Sequence, residues 1–310
     1  MRRLLAGLLF VFALHAHAWP DHPVRIIVPF APGGSADTLG RLVAQHLKGT
    51  FVVENRAGAG GVVGSETVAR AQPDGYTLVI SGIASHAIAP ALPQGTPYDP
   101  VKDFTHIALF GGPPAVLAVN PSLEAKDLRE FVNLAKTRTL SYGSPGNGTQ
   151  GQLVAELFKR RAGIELQHVP YKGASGAVTD LIAGHIPVIS TTLTTAASQI
   201  RAGRARGLAI SAPMRLADFP GIPTFAELGY PDLVATVWFS LSGPANLPAD
   251  IVERLNAEVN RALDLPEVRE RLKPEGIVPQ RLTAKEFTAF VADEARRWAP
   301  VVRASGAKND

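Results

Sequence analysis

The sequence predicts an α/β protein of two domains, each a mostly parallel sheet flanked by helices. Short β-branched and apolar runs alternate with segments whose apolar residues recur at helical spacing, which is typical of parallel sheets covered by helices. The alternation restarts after Asn120, and a further apolar strand-like run at residues 234–242 precedes a helical C-terminal part. We therefore expect residues 19–120 and 237–310 to form domain 1 and residues 121–236 to form domain 2, joined by crossing hinge strands.

The order of the elements follows from periodicity and from the glycines and prolines that interrupt it. Short apolar runs bounded by turn residues are typical of strands, and longer segments with an i, i+3, i+4 pattern are typical of helices. The expected strands are residues 24–28, 51–54, 76–80, 115–119, 140–142, 166–169, 186–190, 207–211 and 234–242. The expected helices are residues 62–71, 125–136, 152–161, 175–183 and 195–202, one that starts after Ser35, and the helices of the last third of the chain.

The N-terminus has the pattern of an export signal. Arg2-Arg3 precede an apolar run at residues 4–14, and Ala16-His17-Ala18 forms an A-x-A cleavage site. The apolar run is too short to span a bilayer. We expect a signal peptide over residues 1–18, cleaved after Ala18, and a periplasmic mature chain that is not membrane-embedded. Twin-arginine export and an uncleaved anchor are the weaker alternatives.

Charge and cysteine content exclude several classes of protein. The formal net charge of +4 falls to +2 without the leader, because residues 1–18 contain two arginines and no acidic residue. No run of Lys or Arg is interleaved with aromatic residues, so a nucleic-acid partner is not expected. The sequence contains no Cys, which excludes disulfides and thiol chemistry and is compatible with a bacterial periplasm.

A Gly- and Pro-rich loop, residues 29–37, joins the first strand to the first helix. Its glycines allow backbone N–H groups to face outward at the helix start, where the helix dipole attracts anions. Ser35 is expected to donate to a ligand or to cap the helix. Asp37 is expected to fix the loop by accepting backbone N–H bonds, the alternative being contact with the ammonium group of an amino-acid ligand. The candidate ligand-binding residues here are Phe30, Ala31, Pro32, Gly33, Gly34, Ser35 and Asp37.

A second Gly-rich loop, residues 143–151, also lies between a short strand and a helix. Neither loop contains Lys or Arg, so attraction for an anion would come from N–H groups and helix N-termini. Each helix end contributes about 0.3–1 kcal/mol when exposed and up to about 2 kcal/mol when partly buried. The alternative is that both loops are ordinary strand-to-helix turns that bind no ligand. The candidate ligand-binding residues here are Ser144, Gly146, Asn147, Gly148 and Thr149.

Further polar residues follow the predicted strands. Ser81 and Ser85 come after strand 76–80, at an edge where ligands of such sheets bind, whereas His86 beside them is expected to be a capped or solvated histidine. The hydroxyl of Tyr171 is expected to reach the cleft, or its ring to pack on the hinge. Thr191 and Thr192 are expected to donate to a carboxylate or to cap their loop. Trp238 and Phe239 in the return strand are expected to belong to the core.

Signatures of enzymes and metal sites are poor. Gly173-Ala174-Ser175-Gly176 lacks the G-x-S-x-G spacing of a nucleophile elbow, and no G-K-[ST] phosphate loop exists. The histidines are scattered, with no H-x-x-x-H pair in the mature chain, so no metal and no cofactor are expected. An exported hydrolase that uses Ser35 or Ser85 remains an alternative, because Ser85 adjoins His86.

Five segments in order resemble the Bug-type (tripartite tricarboxylate transporter) periplasmic solute-binding proteins. The resemblance continues through residues 220–227 and the helical C-terminal part, and it covers essentially the whole mature chain. It implies a two-domain periplasmic-binding-protein (Venus-flytrap) fold and capture of small carboxylates by loop amides and ordered waters. It also implies delivery to membrane permease subunits. The five segments are residues 29–37, 54–61, 72–78, 143–149 and 169–173.

Three stretches of the sequence depart from the family pattern. Gln152 stands where the family often has His, residues 184–190 lack the usual acidic residue, and residues 191–195 are unusually rich in hydroxyls. The sequence therefore predicts a non-enzymatic, monomeric solute-binding protein for a dicarboxylate, an amino acid or an aromatic acid. A ligand-sensing subunit for a signalling receptor is the alternative with the same binding chemistry.

Overall fold

The computed structural model describes residues 19–235, 237–273, 277 and 279–305. The predicted signal peptide, residues 1–18, lies outside these ranges. Among the described residues, no helix combines the length and the apolar character that crossing a membrane requires.

Within those ranges the chain forms ten strands and nine α-helices, largely in the predicted alternation. The strands are β1 (Val24–Val28), β2 (Phe51–Asn55), β3 (Thr77–Gly82), β4 (Phe104–Gly111), β5 (Ala115–Val119), β6 (Leu140–Ser144), β7 (Leu166–Pro170), β8 (Val188–Thr192), β9 (Arg206–Ile210) and β10 (Phe239–Pro244). The helices are α1 (Ser35–Ala44), α2 (Val62–Ala69), α3 (Leu128–Thr137), α4 (Gln150–Ala162), α5 (Ala174–Ala183), α6 (Leu193–Arg201), α7 (Ala249–Asp264), α8 (Pro266–Leu272) and α9 (Ala284–Ser305).

The strands form two five-stranded sheets with the same plan. The first has the order β2-β1-β3-β10-β4 and the second the order β7-β6-β8-β5-β9. In each sheet four strands run in one direction, and one inserted strand, β10 or β5, pairs antiparallel with both its neighbours. The predicted α/β class with mostly parallel sheets is therefore confirmed, and each inserted strand follows a connection from the other sheet.

The first connection between the sheets lies earlier in the chain than the sequence indicates. Because β5 pairs with β8 and β9, residues 115–119 belong to the second sheet, and the chain crosses at residues 112–114 instead of at residue 120. The returning segment lies against this crossing: the Val237 N–H donates to the Pro113 carbonyl oxygen at 3.1 Å. A Cβ on Gly112 would lie 2.4 Å from the Val237 carbonyl oxygen, so this approach requires glycine. The division into domains stays a prediction, with its first boundary moved to this crossing.

The C-terminal helices cover the first sheet. Helices α7 and α9 pack on β4, and Phe287 of α9 is fully buried. The indole N–H groups of Trp238 and Trp298 both donate to one carboxylate oxygen of the buried Glu294, each at 3.0 Å. Trp238 and Phe239 are buried, as the sequence predicts for core residues, although Phe239 also borders the cleft between the sheets. The C-terminal helices thus hold β10, the strand by which the chain returns to the first sheet, at the border of the cleft.

Candidate functional site

A cleft lies between the two sheets, at the ends of the strands from which α1, α4 and α5 begin. It contains an inner chamber of about 50 Å³ and an outer chamber of about 480 Å³. Phe30 from the first side and Pro145 from the second line both chambers. Val237 and Phe239 close the inner chamber on the side where the chain crosses between the sheets. A ligand in the inner chamber would therefore touch both sides of the cleft and the return strand.

Three helix N-termini meet at the inner chamber. Its lining includes Gly34 and Ser35 of α1, Gln150 and Gly151 of α4, and Ala174 of α5. The first N–H groups of a helix have no acceptor within the helix. The positive end of each helix dipole thus faces the same small volume, which favours an anion.

Asp37 fixes the first loop, as the sequence predicts. Its carboxylate accepts from the Gly33 N–H at 3.0 Å, from Arg41 Nε at 3.0 Å and from Asn55 Nδ2 at 2.9 Å. Burial would raise the pKa of Asp37, but the hydrogen bonds from Arg41, Gly33 and Asn55 outweigh it and hold the pKa below its ordinary value. The Gly33 N–H is therefore used within the loop, not for a ligand.

Ala31 and Pro32 join the two sides of the cleft. The Ala31 N–H donates to the Lys172 carbonyl oxygen at 3.0 Å, and Ser175 Oγ donates to the Pro32 carbonyl oxygen at 2.8 Å. Ala31 and Pro32 are predicted to bind a ligand. The Ala31 N–H and the Pro32 carbonyl oxygen are instead bonded to the opposite side of the cleft. These bonds hold the two sides in direct contact.

Ser35 contributes its side chain to the cleft and does not cap α1. The residue before it, Gly34, occupies the N-cap position. Ser35 Oγ lies 2.5 Å from Thr192 Oγ1 and 3.3 Å from Thr195 Oγ1, and the two threonine oxygens are 3.1 Å apart. This cluster of hydroxyls crosses the cleft and brings Thr192 into the lining of the inner chamber.

The second loop is fixed from within in the same way. Ser144 Oγ lies 2.6 Å from His168 Nε2 and accepts from the Gly146 N–H at 3.1 Å. The Gly148 N–H donates to Gln152 Oε1 at 2.8 Å. Ser144 is fully buried, so it and the Gly148 N–H support the loop and do not line either chamber, contrary to the prediction.

Three of the predicted residues of the second loop do reach the cleft. Gly146 and Asn147 line the outer chamber, and Thr149 lines the inner one while capping α4. A Cβ on Gly60 would lie 1.9 Å from the Asn147 carbonyl oxygen, so the loop at residues 58–61 touches the second loop. The backbone of Gly60 has a positive φ of 64°, which also favours glycine there.

Ser81 and Thr191 lie inside the sheets and not in the cleft lining, which corrects the prediction. Strand β3 extends to Gly82, so Ser81 is still paired with β10, and its Oγ lies 2.7 Å from both Ser240 Oγ and Ser242 Oγ. Thr191 is fully buried within β8. The predicted strand 76–80 ends two residues before β3 does, which places Ser81 at the sheet edge in the prediction.

Ser85 lines the inner chamber, as predicted, and is bonded to the residue beside it. Its Oγ lies 2.9 Å from His86 Nδ1, within a π-helical turn at Ala84–Ile88. His86 is fully buried, so the expectation of a capped or solvated histidine is wrong. Burial lowers the pKa of His86 well below its ordinary value, with a smaller effect from His106, and the ring is neutral.

Tyr171 and Lys172 lie at the outer chamber. The Tyr171 hydroxyl, which was expected to reach a ligand, donates to Asp180 Oδ2 at 2.6 Å. Burial and the bond to Asp180 raise the pKa of Tyr171 to about 12. Its ring lines the chamber, while Lys172 is the one charged residue among the described residues that line either chamber.

Several lining residues were missing from the predicted set. One signal in the sequence marks part of this set: the Gly-rich loop after β2, which carries part of the family resemblance but is absent from the predicted site. Others, such as Gln150, Gly151 and Ala174, lie at the starts of α4 and α5, and such boundaries are not visible in the pattern. The missed residues include Gly58, Ala59, Gly60, Gly61, Val62, Gln94, Gln150, Gly151, Lys172 and Ala174.

Comparison with known proteins identifies the family. The model of the tripartite tricarboxylate transporter family receptor matches residues 37–307. The chain belongs to this family. The receptor is 37% identical to protein BugT of Bordetella pertussis over 322 aligned positions, which cover 99% of each chain. The resemblance to Bug-type proteins seen in the sequence is thus confirmed, and the family is periplasmic.

Two solved structures are similar to the receptor over nearly their full lengths. An R. palustris protein with adipate has a TM-score of 0.89 and 32% identity, and the match covers 94% of the receptor and 99% of that chain. MatC of Rhodopseudomonas palustris, with bound malate, has a TM-score of 0.86 and 32% identity, with 92% of the receptor and all of that chain covered (100%). The two-domain periplasmic-binding-protein fold is confirmed by such likenesses. The family and these neighbours bind solutes, which supports a non-enzymatic role.

Proposed function

We propose that the receptor captures a small carboxylate in the inner chamber and delivers it to the membrane subunits of a tripartite tricarboxylate transporter. The observation behind the proposal is that α1, α4 and α5 direct their N-termini at one chamber. Within the described part of the chain, the lining of this chamber contains no charged side chain. The adipate and malate in the two neighbouring structures support a carboxylate as the ligand class.

The helix ends at the chamber can stabilise a bound anion without a basic residue. A partly buried helix end stabilises an anion by up to about 2 kcal/mol, and three such ends act here on one volume. The residues that we propose to contact the ligand are Gly34, Ser35, Ser85, Thr149, Gln150, Gly151, Ala174 and Thr192. Because they come from both sides of the cleft, a bound acid favours the arrangement in which the two sides meet.

The hydrolase alternative gains no support from the geometry. A serine nucleophile needs a base that a third group orients. Ser35 Oγ contacts the hydroxyls of Thr192 and Thr195. The pair formed by Ser85 and His86 has no acidic partner among the described residues.

The proposal is tested by ligand screening of the exported protein. The protein is purified from the periplasm, where its mass should show cleavage after Ala18. Thermal-shift assays with monocarboxylates, dicarboxylates, amino acids and aromatic acids should identify an acid that raises the melting temperature, since a ligand at 100 times its Kd stabilises by about 2.7 kcal/mol. A screen in which no acid produces a shift would contradict the proposal.

Substitutions at Gly34 distinguish an effect on anion binding from an effect on the stability of the fold. Gly34→Pro removes an N–H at the chamber, and the φ of −85° at this position is close to the range of proline, so binding should fall at least tenfold with little loss of stability. Gly34→Ala is the matched control, because it keeps the N–H and its Cβ would come no closer than 3.9 Å to another heavy atom. Titration calorimetry with the acid found in the screen measures both. Equal affinities of the two variants would show that the first loop is only a turn.

A further inference from the structure

Ser85 and His86 lie at the boundary between the cleft and the interior of the first side. Ser85 lines the inner chamber, and the His86 ring lies behind it, in edge-to-face contact with Phe104 at 4.5 Å between centroids. The Tyr98 hydroxyl donates to the Ser85 carbonyl oxygen at 2.8 Å and fixes the backbone there. One polar contact of the imidazole is defined, the 2.9 Å contact between its Nδ1 and Ser85 Oγ.

The other ring nitrogen of His86 is buried without a partner. No hydrogen-bonding group among the described residues contacts Nε2. The titratable rings of His106 and Tyr98 lie 5.8 and 6.0 Å away between centroids, and no carboxylate within the described part of the chain contacts the imidazole. A neutral imidazole therefore has a single N–H to place, on Nδ1 or on Nε2.

The two placements have different consequences. A proton on Nε2 leaves a buried N–H without an acceptor and makes Nδ1 an acceptor, so the Ser85 proton is directed at the ring. A proton on Nδ1 leaves only a lone pair without a partner and makes Nδ1–H the donor to Ser85 Oγ. Since an unsatisfied buried donor costs free energy that a made hydrogen bond avoids, the second placement is favoured.

The Ser85 proton is then available to the chamber. Among the described residues, the only other acceptor near Ser85 Oγ is the Gly82 carbonyl oxygen, at 3.5 Å, which is too long for a strong bond. The remaining hydroxyls of the inner chamber have acceptors already. Thr149 donates to the Gly146 carbonyl oxygen at 2.7 Å. Ser35 and Thr192 form a cluster with Thr195, at 2.5, 3.1 and 3.3 Å, in which each hydroxyl can donate to a neighbour. Ser85 is thus the hydroxyl whose proton is left for a ligand.

We propose that His86 is a positioning residue: it holds its proton on Nδ1 and thereby turns the Ser85 hydroxyl proton toward the inner chamber, where Ser85 donates to the anionic group of the ligand. This inference rests on the proposed function for its ligand. It adds a neutral, oriented side-chain donor to the three helix ends. The arrangement favours a group that accepts hydrogen bonds, such as a carboxylate, over one that donates them, such as an ammonium.

The position of the proton is measured by NMR without any ligand. Protein labelled with ¹⁵N-histidine is examined through long-range ¹H–¹⁵N correlations, which distinguish a protonated ring nitrogen from an unprotonated one, and His86→Asn assigns the resonances. We expect a neutral His86 with the proton on Nδ1. A proton on Nε2, or a cationic ring at neutral pH, would overturn the proposal. Because no ligand is needed, this result is independent of the proposed function.

The role in binding is tested with malate and adipate as probes, by calorimetry. Ser85→Ala should weaken binding on the order of 10- to 100-fold, as expected for loss of a hydrogen bond to a charged group. The short amide of His86→Asn can donate from the place of Nδ1 and should retain affinity within a few-fold, whereas the longer His86→Gln reaches toward the place of Nε2 and should lose as much as Ser85→Ala. The double variant of Ser85→Ala and His86→Gln should be no weaker than either single variant.

Two results of the binding series would contradict the inference. One is additive losses in the double variant, and the other is equal affinities of the Asn and Gln variants when both melt near the wild-type temperature. If no acid of the thermal-shift screen binds the wild-type protein, the proposed function is at fault, and the NMR measurement still decides the placement of the His86 proton.

Discussion

Asp37 shows how a carboxylate is accommodated beside a site for anions. It lies in the first turn of α1, where a negative charge is favoured by the helix dipole but would repel a bound acid. Arg41, four residues along the helix, donates to Asp37 Oδ1 at 3.0 Å and balances the charge. Because the same carboxylate also accepts from the Gly33 N–H, the negative charge is used to shape the loop. The sequence predicts this role, since the residue types and their spacing suffice to define it.

Two buried histidines make the stability of the fold depend on pH. Burial lowers the pKa of His106 to about 4 from an ordinary value of 6.5, and it lowers that of His86 in the same direction. The unfolded chain binds these protons more readily, so stability is complete above pH 6.5 and falls as the pH decreases toward 4. His106 alone should reduce the free energy of unfolding by about 2 kcal/mol at pH 5 relative to pH 7.5.

Urea unfolding at pH 7.5, 6 and 5 measures this dependence. His106→Gln replaces the ring with a polar group that does not titrate, so the variant should be less stable at pH 7.5 but should lose less stability on acidification. The carboxylates with lowered pKa values, Asp37 among them, lose their contribution only at more acidic pH and do not interfere. If the free energy of unfolding falls by the same amount with pH in the wild type and the variant, His106 is not the source of the effect.

The hydroxyl-bearing residues mark the limit of prediction at the residue scale. Ser81 and Ser85 are four positions apart, and the sequence assigns both to the same sheet edge. The structure places one between β3 and β10 and the other at the cleft, because β3 continues to Gly82. Pairing with β10, a strand more than 150 residues away in sequence, extends β3, and local patterns do not contain that information.

At the scale of elements, Gln152 and His168 together hold the second loop. Gln152 stands in the first turn of α4, where the resemblance led us to note a missing histidine. Its Oε1 accepts from the Gly148 N–H at 2.8 Å, and its Nε2 lies 3.3 Å from Nδ1 of His168 on β7. His168 in turn contacts Ser144, so a histidine from a neighbouring strand takes part in holding the loop.

Gln152 should therefore control the shape of the second loop. Gln152→Ala leaves the Gly148 N–H without its acceptor and should lower the free energy of unfolding by about 1–3 kcal/mol, with a loss of affinity for the bound acid. Gln152→Glu is the matched control, because it keeps an acceptor oxygen at the same position. Urea unfolding and calorimetry measure the two effects. If the Ala and Glu variants behave alike, the bond to Gly148 does not shape the site.

The crossing between the sheets could not be located from the pattern of elements. Residues 107–120 form one apolar stretch interrupted by glycine and proline, and the predicted domain 1, which runs to residue 120, includes both halves. The interruption is the connection itself: β4 ends at Gly111 and β5 pairs with the second sheet. Local periodicity predicts β5 but not β4, and it does not identify the sheet that β5 joins, because that depends on pairing over long distances.

At the scale of the whole molecule, the two chambers have different characters. The inner chamber is small and is surrounded by helix ends and hydroxyls, whereas the outer chamber of about 480 Å³ is lined by loops from both sides and by Lys172. A diacid with one carboxylate in the inner chamber would extend its second carboxylate past Phe30 and Pro145 toward this lysine. The fold as a whole thus predicts a preference for diacids over monoacids, which neither loop shows alone.

Lys172→Gln should therefore weaken the binding of a diacid more than that of a monoacid of the same length. Lys172 is exposed, and an exposed charge pair is worth about 0.2–1 kcal/mol, so the expected loss is about two- to fivefold for the diacid and close to none for the monoacid. Calorimetry at low and high salt measures both, and the loss should shrink in high salt because exposed charges are screened. Lys136→Gln, on the exposed side of α3, is the matched control. Equal losses for the two acids, or a loss unaffected by salt, would show that Lys172 does not contact the second carboxylate.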